Sequence, residues 1–313
     1  MSLIVINPGL STTVQDAGRA GYREWGVPPG GAFDRGAAGL ANALVGNDAD
    51  RAVLELTLIG GEYRADGPLA MAMAGAPMEA KVVAPDGGER VLTIPLSWSL
   101  GAGERLVLGR ASEGARTYLA VRGGWHTPMR LGSRSSEERL RAGALLPADP
   151  GSIPTRHLGG PSWFSPTAEP FRIIDGPDAI SAELAFDPSP FWADRRFRVG
   201  SRSDRMGLRL EGEPVAIASP PERLSAPVAP GAVQVAGGQL IVLGVAGGTM
   251  GGYPHVAHVI SADLDRVGQL EPGDAIRFHR VTLDEARRAD QTMRLDRQVL
   301  LKRIATAAQD ACV

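Results

Sequence analysis

Between residues 15 and 34 of this chain, Gln15, Asp16, Arg19 and Asp34 are threaded among glycines and prolines. The two runs are Gln15-Asp16-Ala17-Gly18-Arg19-Ala20-Gly21-Tyr22 and Gly26-Val27-Pro28-Pro29-Gly30-Gly31-Ala32-Phe33-Asp34. Glycine opens backbone conformations closed to other residues and proline fixes its own φ, so such a stretch is a shaped loop. A loop displaying those four side chains suits a polar ligand, because a guanidinium fork grips carboxylate or phosphate and a carboxylate can orient it. It equally suits a tight corner in which Asp16 and Arg19 satisfy buried backbone groups. Three further polar clusters stand beside it. Gly132-Ser133-Arg134-Ser135-Ser136 reads as an anion-binding turn or as a solvated bend. Ser203-Asp204-Arg205-Met206-Gly207-Leu208-Arg209-Leu210-Glu211-Gly212 repeats the pairing of acid, arginine and glycine. Gly247-Gly248-Thr249-Met250-Gly251-Gly252-Tyr253-Pro254 lets backbone approach a ligand closely, or else forms a wide bulge or hairpin.

Several chemistries have no complete signature. No glycine-rich run continues into Gly-Lys-Ser/Thr, and neither Gly-x-Ser-x-Gly nor Ser-x-x-Lys occurs. Cys312 stands near the end of the sequence and makes a poor nucleophile. His255 and His258 are three apart; on a regular strand they point to opposite faces, so no metal site is expected there. Lysine occurs only at Lys81 and Lys302, leaving arginine to supply nearly all positive charge. Neither lysine has a Met-Lys-Met setting, so any biotin must arrive on another protein.

The elements that must position these clusters are mostly short strands. Val53-Leu54-Glu55-Leu56-Thr57-Leu58 alternates as a half-buried strand, with Glu55 and Thr57 on the solvent face. Similar runs lie at 3–6, 69–73, 106–108, 118–121, 171–174, 197–199, 233–235, 240–243, 256–260 and 275–278. Forty glycines and twenty-four prolines punctuate them, which predicts a mainly β architecture. Two helices are expected. One follows the N-cap Asp34, with Ala37, Leu40, Ala41 and Leu44 on one face and Gly46 closing it. The other begins at the capping box Thr282/Glu285 and carries Leu283, Ala286, Met293, Leu300 and Ile304 along one face. At 313 residues the chain has room for two cores, and a weak echo between 100–108 and 270–278 points to two related β domains. The expected division is 1–150, 151–281 and a helical tail at 282–313. A net charge of -2 gives no reason to expect nucleic acid or a membrane as partner. With no signal peptide, no spanning segment and one cysteine, a cytoplasmic home is the expectation.

Taken together and in order, the clusters carry a family resemblance. They are Gln15-Asp16-x-Gly18-Arg19-x-Gly21, Gly26-Val27-Pro28, Ala41-Asn42-x-Leu44-Val45-Gly46-Asn47, Gly132-Ser133-Arg134-Ser135, Asp204-Arg205-Met206-Gly207-x-Arg209-Leu210-x-Gly212, Gly231-Ala232-Val233-Gln234-Val235 and Gly251-Gly252-Tyr253-Pro254. Over roughly residues 3 to 280 the chain resembles the biotin-dependent carboxyltransferase, or allophanate hydrolase subunit 2-like, family, which includes the C-type component of 5-oxoprolinase. That resemblance implies two cyclophilin-like β-barrel domains with a few short helices and a C-terminal helix. It implies a hydrolase that works with a smaller partner, of the subunit 1 or B type, and with a third protein of the A type. In such systems ATP is the co-substrate and the substrate is a small amide or lactam, as in 5-oxoproline opening or carboxyl transfer to urea. In that setting Arg19, Arg134 and Arg205 hold a carboxylate or phosphorylated intermediate, and Asp16, Asp34 and Asp204 orient them or handle protons. Gln15, Ser133, Gln234, Thr249, Gly251, Gly252 and Tyr253 contact substrate. Ala246 and Gly248 stand where the family usually has an acid and an amide, and Met250 replaces a threonine. Those departures favour the other reading, a catalytically divergent regulatory or binding subunit of the same fold.

Overall fold

The computed structural model describes residues 1–159, 170–179, 191–192, 195–216 and 224–309. The chain is mainly β, with short helices and one long C-terminal helix, Leu283–Gln309. It forms two compact units. The first comprises Met1–Arg19, Gly30–Ser165 and Arg297–Val313, and the second Ala20–Pro29 and Pro166–Asp296.

The first unit is built from two six-stranded antiparallel sheets. One runs in the order Leu145–Pro147, Ser2–Asn7, Glu62–Ala65, Arg105–Ala111, Met78–Val83, Glu89–Leu92. The other runs Arg156–His157, Leu96–Leu100, Leu69–Gly75, Arg116–Val121, Val53–Thr57, Ser11–Gln15. Alternate residues of both sheets meet in one core, where Leu3, Val5, Tyr63 and Leu106 join Leu54, Leu56, Met71, Met73 and Trp98. The outer face of the second sheet is covered by the helix Arg35–Leu44, whose Leu40, Ala41 and Leu44 pack on Val53, Ala72, Ala74 and Tyr118. Leu300 and Ile304 of the C-terminal helix pack on the same cluster.

That cover corrects the half-buried reading of strand Val53–Thr57. Glu55 is only 1% exposed. It forms an ion pair with buried Arg116 at 3.4 Å, accepts a hydrogen bond from the Tyr118 hydroxyl at 2.8 Å and accepts the Phe33 backbone N–H at 2.9 Å. Tyr118 in turn accepts the Asp34 backbone N–H at 2.8 Å, and the Arg116 guanidinium lies over the Phe33 ring. Glu55 therefore anchors the loop that precedes the helix. Asp34 caps that helix as expected, accepting the Ala37 N–H at 2.8 Å. The strand ends at Thr57 because Leu58 turns to a positive φ of 60°.

In the second unit eight strands form one sheet in the order Ala275–Ile276, Phe197–Val199, Gly207–Glu211, Gln239–Leu243, Ala232–Ala236, His255–Val259, Phe171–Asp175, Phe278–Arg280. The single strand expected at 275–278 is two. Its first part pairs with Phe197–Val199 and its second with Phe171–Asp175. Only Arg277 separates the two edge strands, so the sheet closes on itself as a barrel and leaves almost no free edge. Phe171, Ile173, Phe197, Val199, Leu208, Leu210, Val233, Val235, Leu240, Val242 and Phe278 are buried along its strands. The C-terminal helix starts at the predicted capping box, with the Thr282 N–H on Glu285 at 2.7 Å. No helix among the described residues is long and apolar enough to cross a membrane.

The buried Glu55–Arg116 pair makes a direct prediction. Glu55→Ala leaves a guanidinium in the interior without its principal counter-charge and lowers the unfolding free energy by about 3–5 kcal/mol in urea titrations. Removing Arg105 from its half-exposed pair with Glu62 costs less than about 1 kcal/mol.

Candidate functional site

In the first unit the end of strand Ser11–Gln15 delivers Asp16 into a turn, and Asp16 becomes a hub. Its carboxylate accepts the Gly18 N–H at 2.7 Å and the Ser133 Oγ, Ser135 Oγ and Arg134 N–H at 2.6 Å each. Its own N–H goes to Ser135 Oγ at 2.9 Å, and its carbonyl accepts the Ala32 N–H at 2.9 Å. Burial pulls the Asp16 carboxyl upward, but the hydrogen bonds from Ser133, Ser135, Arg134 and Gly18 outweigh it and hold it below the ordinary carboxylate value. Asp16 therefore grips the backbone of Arg134 rather than its guanidinium. The Arg134 side chain donates to the Thr127 carbonyl, and the Arg19 guanidinium donates to the Ser135 carbonyl. Gln15 is fully buried, giving its amide N–H groups to Thr13 Oγ1 at 3.0 Å and the Ser136 carbonyl at 2.8 Å. Gly31, at φ +84°, brings the next loop so close that a Cβ there would sit 2.9 Å from the Ala17 carbonyl carbon. Gln15, Asp16, Arg19, Ser133 and Arg134 are thus brought together in this unit, with Ala32 joined to Asp16 and neighbouring Asp34 capping the adjoining helix.

The second unit carries the other cluster. Asp204 closes a turn by accepting the Met206 N–H at 2.8 Å and the Gly207 N–H at 3.3 Å. The Arg205 carbonyl accepts the Ala246 N–H at 3.1 Å, which ties this turn to the segment leading into buried Thr249. The Thr249 carbonyl accepts the Val228 N–H at 2.9 Å. Gln234 donates to the Tyr253 carbonyl at 3.3 Å. Gly251 makes that approach feasible, since a Cβ there would lie 2.5 Å from Gln234 Nε2. Gln234, Thr249, Gly251, Gly252 and Tyr253 therefore form one local group, and the Tyr253 side chain is exposed. Arg23 joins it through a hydrogen bond to the Val228 carbonyl.

His255 and His258 do not point to opposite faces. Ala257 pairs with Val233 and His255 with Gln234, a register shift that makes Val256 an extra, bulged residue. Both imidazoles consequently share a face, with ring centroids 5.5 Å apart. Burial, then the neighbouring His255, push His258 down to about 4, with Arg23 adding to the effect and the hydrogen bond to the Pro230 carbonyl opposing it. Burial also lowers His255, against a hydrogen bond to the Ala257 backbone and the charge of Asp178. Among the described residues no three histidine, cysteine or acidic side chains gather where they would hold a metal.

Sequence reasoning passed over Ser135, Arg23 and the shared histidine face. The signal for the last was the adjacent apolar pair Val256-Ala257, which breaks strict alternation between the two histidines.

A family model for the carboxyltransferase domain, subdomain A and B, matches residues 25–280. The chain is 35% identical to the C-type subunit of 5-oxoprolinase from Escherichia coli (strain K12), over 92% of this chain and 94% of that one. It is 28% identical to urea amidolyase of Lachancea kluyveri over 92% of its own length and 17% of that protein's. Among solved structures, TTHA0988 superposes at a TM-score of 0.77 with 34% identity, over 89% of this chain and 56% of that one. The K. lactis urea amidolyase does so at 0.79 with 26% identity, over 93% of this chain and 20% of that one.

The depressed His258 sets a pH window. Between about pH 6.5 and about 4 the unfolded chain takes up a proton that the folded chain refuses, so this stabilisation is complete above 6.5 and is lost as pH falls. Wild type loses about 1–3 kcal/mol more than His258→Gln between pH 7 and 4.5, read from urea titrations at each pH.

Proposed function

We propose, since this chain belongs to the carboxyltransferase domain family of subdomains A and B, that it is the C-type subunit of an ATP-dependent enzyme that opens a small lactam, 5-oxoproline, to glutamate. The observation that carries this reading is the 35% identity to the C-type subunit of a 5-oxoprolinase, which spans nearly the whole of both chains, where the urea amidolyase match spans under a fifth of its protein. Such a component works with B-type and A-type partners in the cytoplasm. ATP enters the complex as co-substrate; this chain offers no lysine-bearing phosphate loop, so no step is assigned to its residues there. Biotin, where a related carboxyl transfer needs it, comes on a partner.

On this reading Arg19 and Arg134 supply positive charge for an anionic group in the first unit's cluster, and Arg205 does so in the second unit's. Asp16 and Asp204 hold the turns that present them, and Asp34 caps the adjoining helix. Gln15 and Ser133 shape one contact region, and Gln234, Thr249, Gly251, Gly252 and Tyr253 shape another. The second reading, a regulatory or binding subunit, draws on Ala246 and Gly248, which offer no polar side chain at those two positions.

The test is reconstitution of the purified chain with its B-type and A-type partners, followed by glutamate release from 5-oxoproline and ATP. The proposal expects turnover, and expects Arg19→Ala and Arg205→Ala each to lower kcat/KM by about 100-fold or more with the thermal midpoint kept. A stable complex without turnover favours the regulatory reading.

A further inference from the structure

The hairpin that leads into Ser133 carries a strained leucine at its tip. Arg130 and Ser133 exchange both backbone hydrogen bonds, at 2.7 and 3.1 Å, so Leu131 and Gly132 are the central residues of a tight turn. Their φ values are 51° and 75°, the pair of positive angles that a type I′ turn demands. Asparagine or glycine suits the first of these positions, because a bulkier side chain sets its Cβ against the following carbonyl oxygen. Leu131 accepts that crowding with its side chain 45% exposed. Met129, two residues earlier, is 59% exposed, and Pro128 beside it is exposed as well. Packing within the unit thus leaves much of both side chains uncovered, and backbone strain kept at such a position points to function.

The tip is held stiffly at its base. The Arg134 guanidinium donates to the Thr127 carbonyl and ties the two arms together. Ser133 Oγ and the Arg134 N–H both end on the Asp16 carboxylate at 2.6 Å. A knob fixed before contact loses little freedom on contact. Between the two apolar side chains stands Arg130, exposed and, among the described residues, without an ion-pair partner. Its free charge suits an acidic neighbour, while Met129 and Leu131 suit an apolar socket.

We infer that residues 128–132 form a docking knob for the B-type subunit, entering an apolar socket on that protein whose rim carries acidic side chains. This rests on the reading of the chain as a C-type subunit, and it adds where the partner binds. In TTHA0988 and the K. lactis urea amidolyase the matching region is one part of a longer chain, so in both proteins this fold comes joined to further polypeptide.

The experiment titrates the purified B-type subunit into the full chain, as wild type, Met129→Ser, Arg130→Glu and Leu131→Asn, at low and high salt. Each substitution is expected to weaken the complex about tenfold or more, and the deficit of Arg130→Glu to shrink at high salt. Asparagine suits the turn, so Leu131→Asn keeps or raises the thermal midpoint of the free chain while it weakens binding. Its Arg134 amide stays as protected from hydrogen exchange as in wild type, which separates docking from damage at Asp16. A lowered midpoint in Leu131→Asn, or wild-type affinity in any of the three variants, overturns the proposal. So does a wild-type chain that fails to bind the B-type subunit or that pairs with a second copy through this tip. Turnover of 5-oxoproline by a complex that the substitutions leave equally tight removes the knob and leaves the proposed function standing. A wild-type complex without turnover, weakened by all three substitutions, removes the function and keeps the knob.

Discussion

Four hydrogen bonds converge on the Asp16 carboxylate, and three of them join two stretches of chain more than a hundred residues apart. Each donor is a backbone N–H or a serine hydroxyl, so the carboxylate acts as a rigid fastener for residues 133–135. The Arg19 guanidinium then caps the Ser135 carbonyl, and Ala32 hangs from the Asp16 carbonyl. A half-buried carboxylate held this way is expensive to vacate, because every donor loses its partner at once. The placement of both Arg19 and Arg134 depends on it.

A second carboxylate supports the neighbouring loop from below. Glu55 holds the Phe33 N–H and the Tyr118 hydroxyl and neutralises Arg116, while Asp34 closes the helix end above it. The barrel unit uses other means to the same end. There a bulged strand, a glycine lying on Gln234 and a turn closed by Asp204 bring backbone and side chains into register. Both units thus fix polar side chains through backbone contacts, so little side-chain entropy is left in them to lose.

Much of this was legible from residue types. The N-cap at Asp34, the capping box at Thr282 and Glu285, most strands and the glycine-rich loops follow from local rules that tertiary context did not override. What escaped depended on packing between distant elements. Glu55 reads as solvent-facing until a helix covers its sheet. His255 and His258 separate on an ideal strand and meet only because the partner strand shifts register. The run at 275–278 reads as one strand because barrel closure is a property of the whole sheet. Ser135 looked like a neighbour of Arg134, whereas its hydroxyl and carbonyl serve Asp16 and Arg19.

The most direct measurement is amide hydrogen exchange at Gly18 and Arg134 in wild type and Asp16→Ala, with Phe33 as internal reference. Alanine removes both acceptor oxygens that the two amides and the two serines use. If Asp16 is the fastener, the two amides are strongly protected in wild type and exchange at least tenfold faster in the variant, while Phe33, held by Glu55, is unchanged. Equal protection of Gly18 and Arg134 in the two proteins would contradict the account.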